Sequence, residues 1–227
     1  MRNVLKCRPE WIFLCLGLVV TAACPAQEQP LTARDVSSLL PLITPLVQKQ
    51  DPFPHGARVK LQATGGGGRQ ITFEGQTRAV IPVLISFDRY ANSYCRVAVI
   101  DQQKKTADLV PVPGNYEHCG GMEKMADVDL NHDGIPDLVF QVNIPSNRFD
   151  TTVSEGAVYV SQAASRTYCY APAASSEVTS DIPPQADKIL EVIQDAVKRK
   201  GAQILNCYSP PVVPQRGSLV EPAKPGQ

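Results

Sequence analysis

Histidine is scarce in this chain. His55, His118 and His132 are the three residues of that type, a small stock for acid–base chemistry. No Gly-x-Ser-x-Gly elbow, no His-Glu-x-x-His helix and no Rossmann glycine fingerprint occurs. The formal net charge is zero, which leaves no electrostatic footprint for a nucleic acid. No Cys-x-x-Cys pair is present, so Cys119 beside His118 lacks the spaced partners that zinc requires and reads as a disulfide cysteine. The glycine run Gly65–Gly68 is followed by no Gly-Lys-Ser/Thr, which excludes a nucleotide loop and leaves a flexible hairpin tip as the expectation. Together these absences favour a non-enzymatic protein over an enzyme, although catalytic groups can assemble from distant positions.

What is present describes an exported globular chain. Its 227 residues suffice for one domain or two small ones, and 43% hydrophobic with 19% charged residues is an ordinary globular balance. Arg2, Lys6 and Arg8 precede the apolar run Trp11–Val20, and small residues follow at Thr21–Ala26. That order is a secretory signal peptide over residues 1–26, because the run is too short to span a bilayer. Cleavage after Ala26 makes Gln27 the mature start. The alternative is a lipid anchor at Cys24, although Thr21 stands where a lipobox takes Leu or Val. The mature chain is expected in the periplasm or secreted, or held at the envelope by that lipid, with no transmembrane helix. Beyond the signal four cysteines remain, Cys95, Cys119, Cys169 and Cys207, and an even number in an exported chain argues for two disulfides. Of the three pairings, Cys95–Cys119 with Cys169–Cys207 is favoured, since sequence neighbours are often spatial neighbours.

Along the mature chain, residues 27–52 read as a short N-terminal helical segment. Thr32 caps it with Asp35 at the third helical position, Val36, Leu39 and Leu40 form a stripe, and Pro41 breaks it before Thr44-Pro45 restarts a turn. Strands are expected at 58–63, 70–74, 78–87, 94–100, 109–112, 138–144, 156–161, 167–170 and 203–208. Pro82 lies inside one of them and calls for an edge or a bulge. Residues 171–180 are Ala/Ser-rich and read as irregular. A helix then begins near Asp181, carries Ile189, Val192, Ile193, Ala196 and Val197 on one face, and stops at Gly201. The expected fold is α+β over residues 53–208: mostly antiparallel sheet, a packed C-terminal amphipathic helix and the short N-terminal helical segment. A Pro-rich tail, 209–227, is expected to be disordered.

Chemistry concentrates in residues 127–139. Counting Asp129 as position 1, Asn131, Asp133 and Asp137 fall at positions 3, 5 and 9, with Gly134 at position 6, where a sharp turn needs a residue without Cβ. Ile135 would offer its carbonyl, and Asp127 would be an extra ligand or support a ligand from outside. His132 falls at an outward position. Oxygen donors at this spacing suit Ca2+. Asp, Asn and Gly also favour plain turns, but the mutual repulsion of so many carboxylates in about ten residues argues for an ion. Position 12 is Phe140 rather than Glu, and the sequence after it reads as a strand, so this is not an EF-hand. Asp129-x-Asn131-x-Asp133-Gly134-x-x-Asp137-Leu138-Val139 resembles the calcium loop of FG-GAP and VCBS-type repeats, and Gly156–Val160 resembles the strand that follows it there. The likeness covers about residues 126–160. It implies Asp129, Asn131, Asp133 and Asp137 as side-chain ligands. One copy does not make a propeller of about 4–8 blades. The expected function is an exported, non-enzymatic calcium-binding protein whose ion stabilises the loop, with an affinity of ~10⁻⁴–10⁻³ M. The alternative is an envelope protein that binds a partner, such as an inhibitor or immunity factor for a secreted hydrolase. A third reading is a hydrolase that uses the metal as a support.

Overall fold

The computed structural model describes residues 29–49, 57–73, 75–113, 118–146, 151–180 and 187–209. The expected signal segment with Cys24, His55, the capping residues near Asp181 and the tail from residue 210 lie outside the described residues.

Period-two hydrophobicity builds two antiparallel sheets. The first holds β1 (Gln29–Pro30), β2 (Val59–Ala63), β3 (Arg69–Phe73), β4 (Gln76–Phe87), β5 (Ser93–Asp101) and β6 (Thr106–Leu109). The second is a meander of β7 (Gly121–Val128), β8 (Asp137–Ser146), β9 (Thr151–Gln162) and β10 (Thr167–Tyr170). Side chains alternate between faces. Thus Cys95, Val97 and Val99 of β5 meet Leu138, Phe140 and Val142 of β8 and Ala157 and Tyr159 of β9 in a core between the sheets. Burying each large side chain there contributes roughly 1.5–3 kcal/mol. Intervening positions face outward: Ala79, Ile81, Val83 and Ile85 of β4 with Ala98 and Ile100 of β5. The expected α+β class with mostly antiparallel sheet is the one observed.

The N-terminal helices cover that outer face. Thr32 and Asp35 form the capping box: the Asp35 N–H donates to Thr32 Oγ1 at 3.2 Å, and the Thr32 N–H donates to Asp35 Oδ2 at 3.1 Å. From this start α1 (Ala33–Leu39) buries Val36 and Leu39. Pro41 enters a 3-10 turn, Leu40–Leu42, and α2 (Thr44–Lys49) restarts at Thr44 and buries Val47. Val36, Leu39, Ile43 and Val47 share one cluster with β4 and β5, and Leu40 packs against it.

Pro82 sits in the middle of β4 and loses no ladder bond. The Thr64 N–H donates to the Pro82 carbonyl at 2.9 Å. In an antiparallel pair a residue's N–H and C=O point to the same neighbour, so the donor that proline lacks also faces this edge. There the chain bulges away: five residues, 64–68, separate Ala63 (opposite Val83) from Arg69 (opposite Val80). The glycine run is therefore this bulge and not a free hairpin tip, which corrects the sequence expectation. Gly65, at φ 60°, donates its N–H to Met122 of β7 at 2.7 Å, and a Cβ there would lie 2.9 Å from the Phe140 ring. One backbone bond thus ties the first sheet to the second.

Residues 171–180 are not irregular. They form α3 (Pro172–Ser180), and the reason lies outside the segment. β10 ends at Tyr170, opposite Tyr159, and the N–H groups of Gly156 and Val158 on β9 lie beyond that end. The hydroxyls of Thr179 and Ser175 accept from them, each at 2.9 Å. Four residues of helix rise about 6 Å and two of strand about 6.6 Å, so the two spacings match. Tertiary hydrogen bonds outweigh weak intrinsic helix propensity here. Two further corrections apply. Residues 203–208 carry the 3-10 turn Ala202–Leu205 and an extended end rather than a strand, and the strand expected at 109–112 is Thr106–Leu109. α4 (Asp187–Lys200) places Ile189, Ile193 and Ala196 in one cluster with Val139, Val158 and Val178.

Both expected cysteine pairs stand at disulfide distance, Cys95–Cys119 and Cys169–Cys207. Among the described residues no helix is long and apolar enough to cross a membrane.

The inter-sheet core contains one polar liability. Tyr159 is fully buried, edge-on to Phe140 at 5.9 Å and to Tyr170 at 5.7 Å, and its hydroxyl has no hydrogen-bond partner among the described residues. A buried donor without a partner costs roughly 1–3 kcal/mol. Tyr159→Phe is therefore expected to raise the unfolding free energy by ~1 kcal/mol in urea denaturation.

Candidate metal centre

The acidic stretch folds as the turn between β7 and β8. Leu130 and Ile135, each 5% exposed, anchor it in the cluster of Val139 and Val158 and in the inter-sheet cluster respectively. Between them the chain reverses through two left-handed residues, His132 at φ 60° and Gly134 at φ 81°. Gly134 suits that conformation because it has no Cβ, and His132 points into solvent as position 4 of the spacing predicts. The Tyr168 hydroxyl donates to the Pro136 carbonyl at 2.8 Å and pins the end of the turn.

Every carboxylate of the turn accepts hydrogen bonds. Asp129 takes the N–H of Asp133 at 3.1 Å on one oxygen and that of Gly134 at 3.0 Å on the other. Asp133 takes the Ile135 N–H at 2.8 Å, and its second oxygen accepts from Ser161 Oγ at 2.7 Å and Asn131 Nδ2 at 3.1 Å. Asn131 Oδ1 accepts from the Asp133 N–H at 3.2 Å. Asp137 is 0% exposed; its two oxygens accept from the Leu130 N–H at 2.8 Å and the Ser161 N–H at 2.6 Å. Burial pushes the Asp137 carboxyl up to about 6, hydrogen bonds from Ser161 and Leu130 hold it back, and the negative charge of Asp133 adds to the rise.

Ser161, at the end of β9, is the residue that sequence reading missed. Its N–H holds Asp137, its hydroxyl holds Asp133, and its carbonyl accepts from Asn131 Nδ2 at 3.2 Å. It lies 24 positions beyond Asp137, and no local pattern marks it. Asp127 lies outside this network. It sits on β7 and pairs with Arg69 of β3 at 2.5 Å, with the two side chains 17% and 6% exposed, so it joins the two sheets beside the turn.

The donor set fits a hard cation: carboxylates of Asp129, Asp133 and Asp137, the Asn131 amide oxygen and the Ile135 carbonyl are all oxygen, and each has lone pairs beyond the bonds described. The hydrogen-bonded arrangement does not converge these groups on one point. Among the described residues no three His, Cys, Asp or Glu side chains are placed to hold a metal together. No protein-family model matches the chain, and comparison with curated proteins and with solved structures returns no match.

Proposed function

We propose that this chain is an exported, non-enzymatic protein whose β7–β8 turn binds Ca2+ as a single FG-GAP/VCBS-like loop, held by Asp129, Asn131, Asp133, Asp137 and the Ile135 carbonyl. The supporting observation is the wholly buried Asp137 carboxylate beside Asp133, with its carboxyl raised to about 6. Its folded value stands above the ordinary 3.8. The group's contribution to stability is therefore full below about pH 4 and is lost as pH rises through about 6, ~3 kcal/mol in all. A cation held by the turn would remove that cost at neutral pH, since an opposite charge favours the ionised form. A four-stranded antiparallel meander, β7 to β10, also agrees with the blade architecture of such repeats. The reading takes α4 as a helix packed on this second sheet. It further takes the basic and apolar N-terminus, with cleavage at Ala26 or lipidation at Cys24, as the export signal.

At an affinity of ~10⁻³–10⁻⁴ M, 10 mM Ca2+ should stabilise the protein by roughly 1.4–2.7 kcal/mol and raise Tm by roughly 3–10 °C. Protons compete for Asp137, so the rise should be larger at pH 7.5 than at pH 5.5. Differential scanning fluorimetry of the wild type and Asp133→Ala, with Mg2+ as control, decides it. No rise with Ca2+, or a rise that Asp133→Ala retains, would remove calcium from the reading. A stoichiometric envelope partner recovered with the protein, whether or not a chelator is present, would favour the inhibitor or immunity-factor reading.

A further inference from the structure

The two disulfides stand in opposite surroundings. Cys95 and Cys119 are 1% and 0% exposed and belong to the core between the sheets. Cys169 is half-buried and Cys207 is exposed. The second bridge spans a sequence separation of 38 and joins β10, an edge strand, to the chain just past the 3-10 turn Ala202–Leu205. Beside it the Tyr208 N–H donates to the Tyr170 carbonyl at 2.7 Å, and the Tyr208 side chain packs against the inter-sheet core. Residues 206–209, of which Asn206 and Ser209 are exposed like Cys207, thus lie along the outer edge of β10.

We propose that Cys169–Cys207 is a redox latch: a dithiol reductant opens it and frees residues 206–209 from β10, while Cys95–Cys119 and the sandwich stay intact. A thiolate of the reductant attacks the sulfur of Cys207, the exposed residue of the pair. The Cys169–Cys207 bond breaks, and Cys169 leaves as a thiolate that takes up a proton. The reductant's second thiol then attacks the mixed disulfide, Cys207 leaves and is protonated, and the reductant departs as its own disulfide. Two electrons and two protons have passed to the protein. Access to the attacked sulfur governs the rate. At Cys207 access is open, whereas Cys95–Cys119 can be reached only when the packed sheets separate.

The test uses the oxidised protein without denaturant. It is incubated with dithiothreitol, quenched with an alkylating reagent at intervals and mapped by peptide mass. Cys169 and Cys207 should be labelled roughly tenfold or more faster than Cys95 and Cys119. The far-UV circular dichroism should hold, amide exchange at Tyr208 should accelerate, and Tm should fall by roughly 5–15 °C. Labelling of all four cysteines at one rate, or loss of the dichroism together with the first labelling, would overturn the latch. The double variant Cys169→Ser/Cys207→Ser reports independently. It should fold and show the accelerated Tyr208 exchange without reductant, and failure to fold, or exchange at the wild-type rate, would equally overturn it.

Discussion

At pH 5 the Asp137→Ala protein should be roughly 2–5 kcal/mol less stable than the wild type, because the substitution strands two buried N–H groups, those of Leu130 and Ser161. The deficit should shrink by about 1 kcal/mol at pH 7.5. The sign follows from the raised carboxyl: between these two values the wild type ionises a buried group and loses stability, and the variant has nothing there to ionise. Urea denaturation of both proteins at the two pH values in chelator measures the difference directly. Titrations elsewhere in the chain cancel in the comparison. Adding Ca2+ at pH 7.5 should widen the gap again, since only the wild type keeps all four of the proposed side-chain ligands. A deficit that does not shrink between the two pH values in chelator would mean that Asp137 is a stabilised, low-pKa carboxylate, and the argument for a cation at the turn would lose its basis.

Gly156→Ala should cost ~1–3 kcal/mol, with Gly156→Val worse. A Cβ at this position would lie 2.5 Å from Val178 Cγ1, 2.6 Å from its Cβ and 3.1 Å from the Thr179 amide nitrogen. The methyl could turn aside. The other two atoms belong to the frame of α3 and move only with the helix. Displacing α3 also pulls the Ser175 and Thr179 hydroxyls off the Val158 and Gly156 N–H groups, so amide exchange at those two residues should speed up alongside the drop in urea midpoint. Wild-type stability in Gly156→Ala would show that α3 does not lie this close to β9.

These two sites also show what sequence could and could not deliver. The capping box at Thr32 and Asp35, the restart at Thr44, the alternation of β4 and β5 and the turn of Asp129–Asp137 are local rules, and each is legible within a few residues. Pro82 was legible as an anomaly, and its resolution as a bulge needed the chain before it. α3 was opaque because Ser and Thr argue against a helix until the β9 N–H groups that their hydroxyls accept from are known. β7 was opaque for a similar reason: its residues Gly121–Val128 mix Gly, Met, Glu, Lys and Asp, and their alternation is broken by a register shift between Lys124 and Ala126. The four acidic and amide positions of the turn were readable from spacing, whereas Ser161 reaches it from another strand and leaves no mark in the motif.

The pairing scheme has a consequence for the order in which the molecule assembles. β3–β4, β4–β5, β5–β6, β7–β8, β8–β9 and β9–β10 all join strands that are consecutive in the chain. Hairpins of this kind close in about 1–10 μs, and local topology favours fast folding. Each sheet can therefore form on its own clock. The slow event is their docking, when Gly65 finds Met122, Arg69 finds Asp127, and Cys95 comes within bonding distance of Cys119. Oxidation of that buried pair records the moment at which the two halves have met.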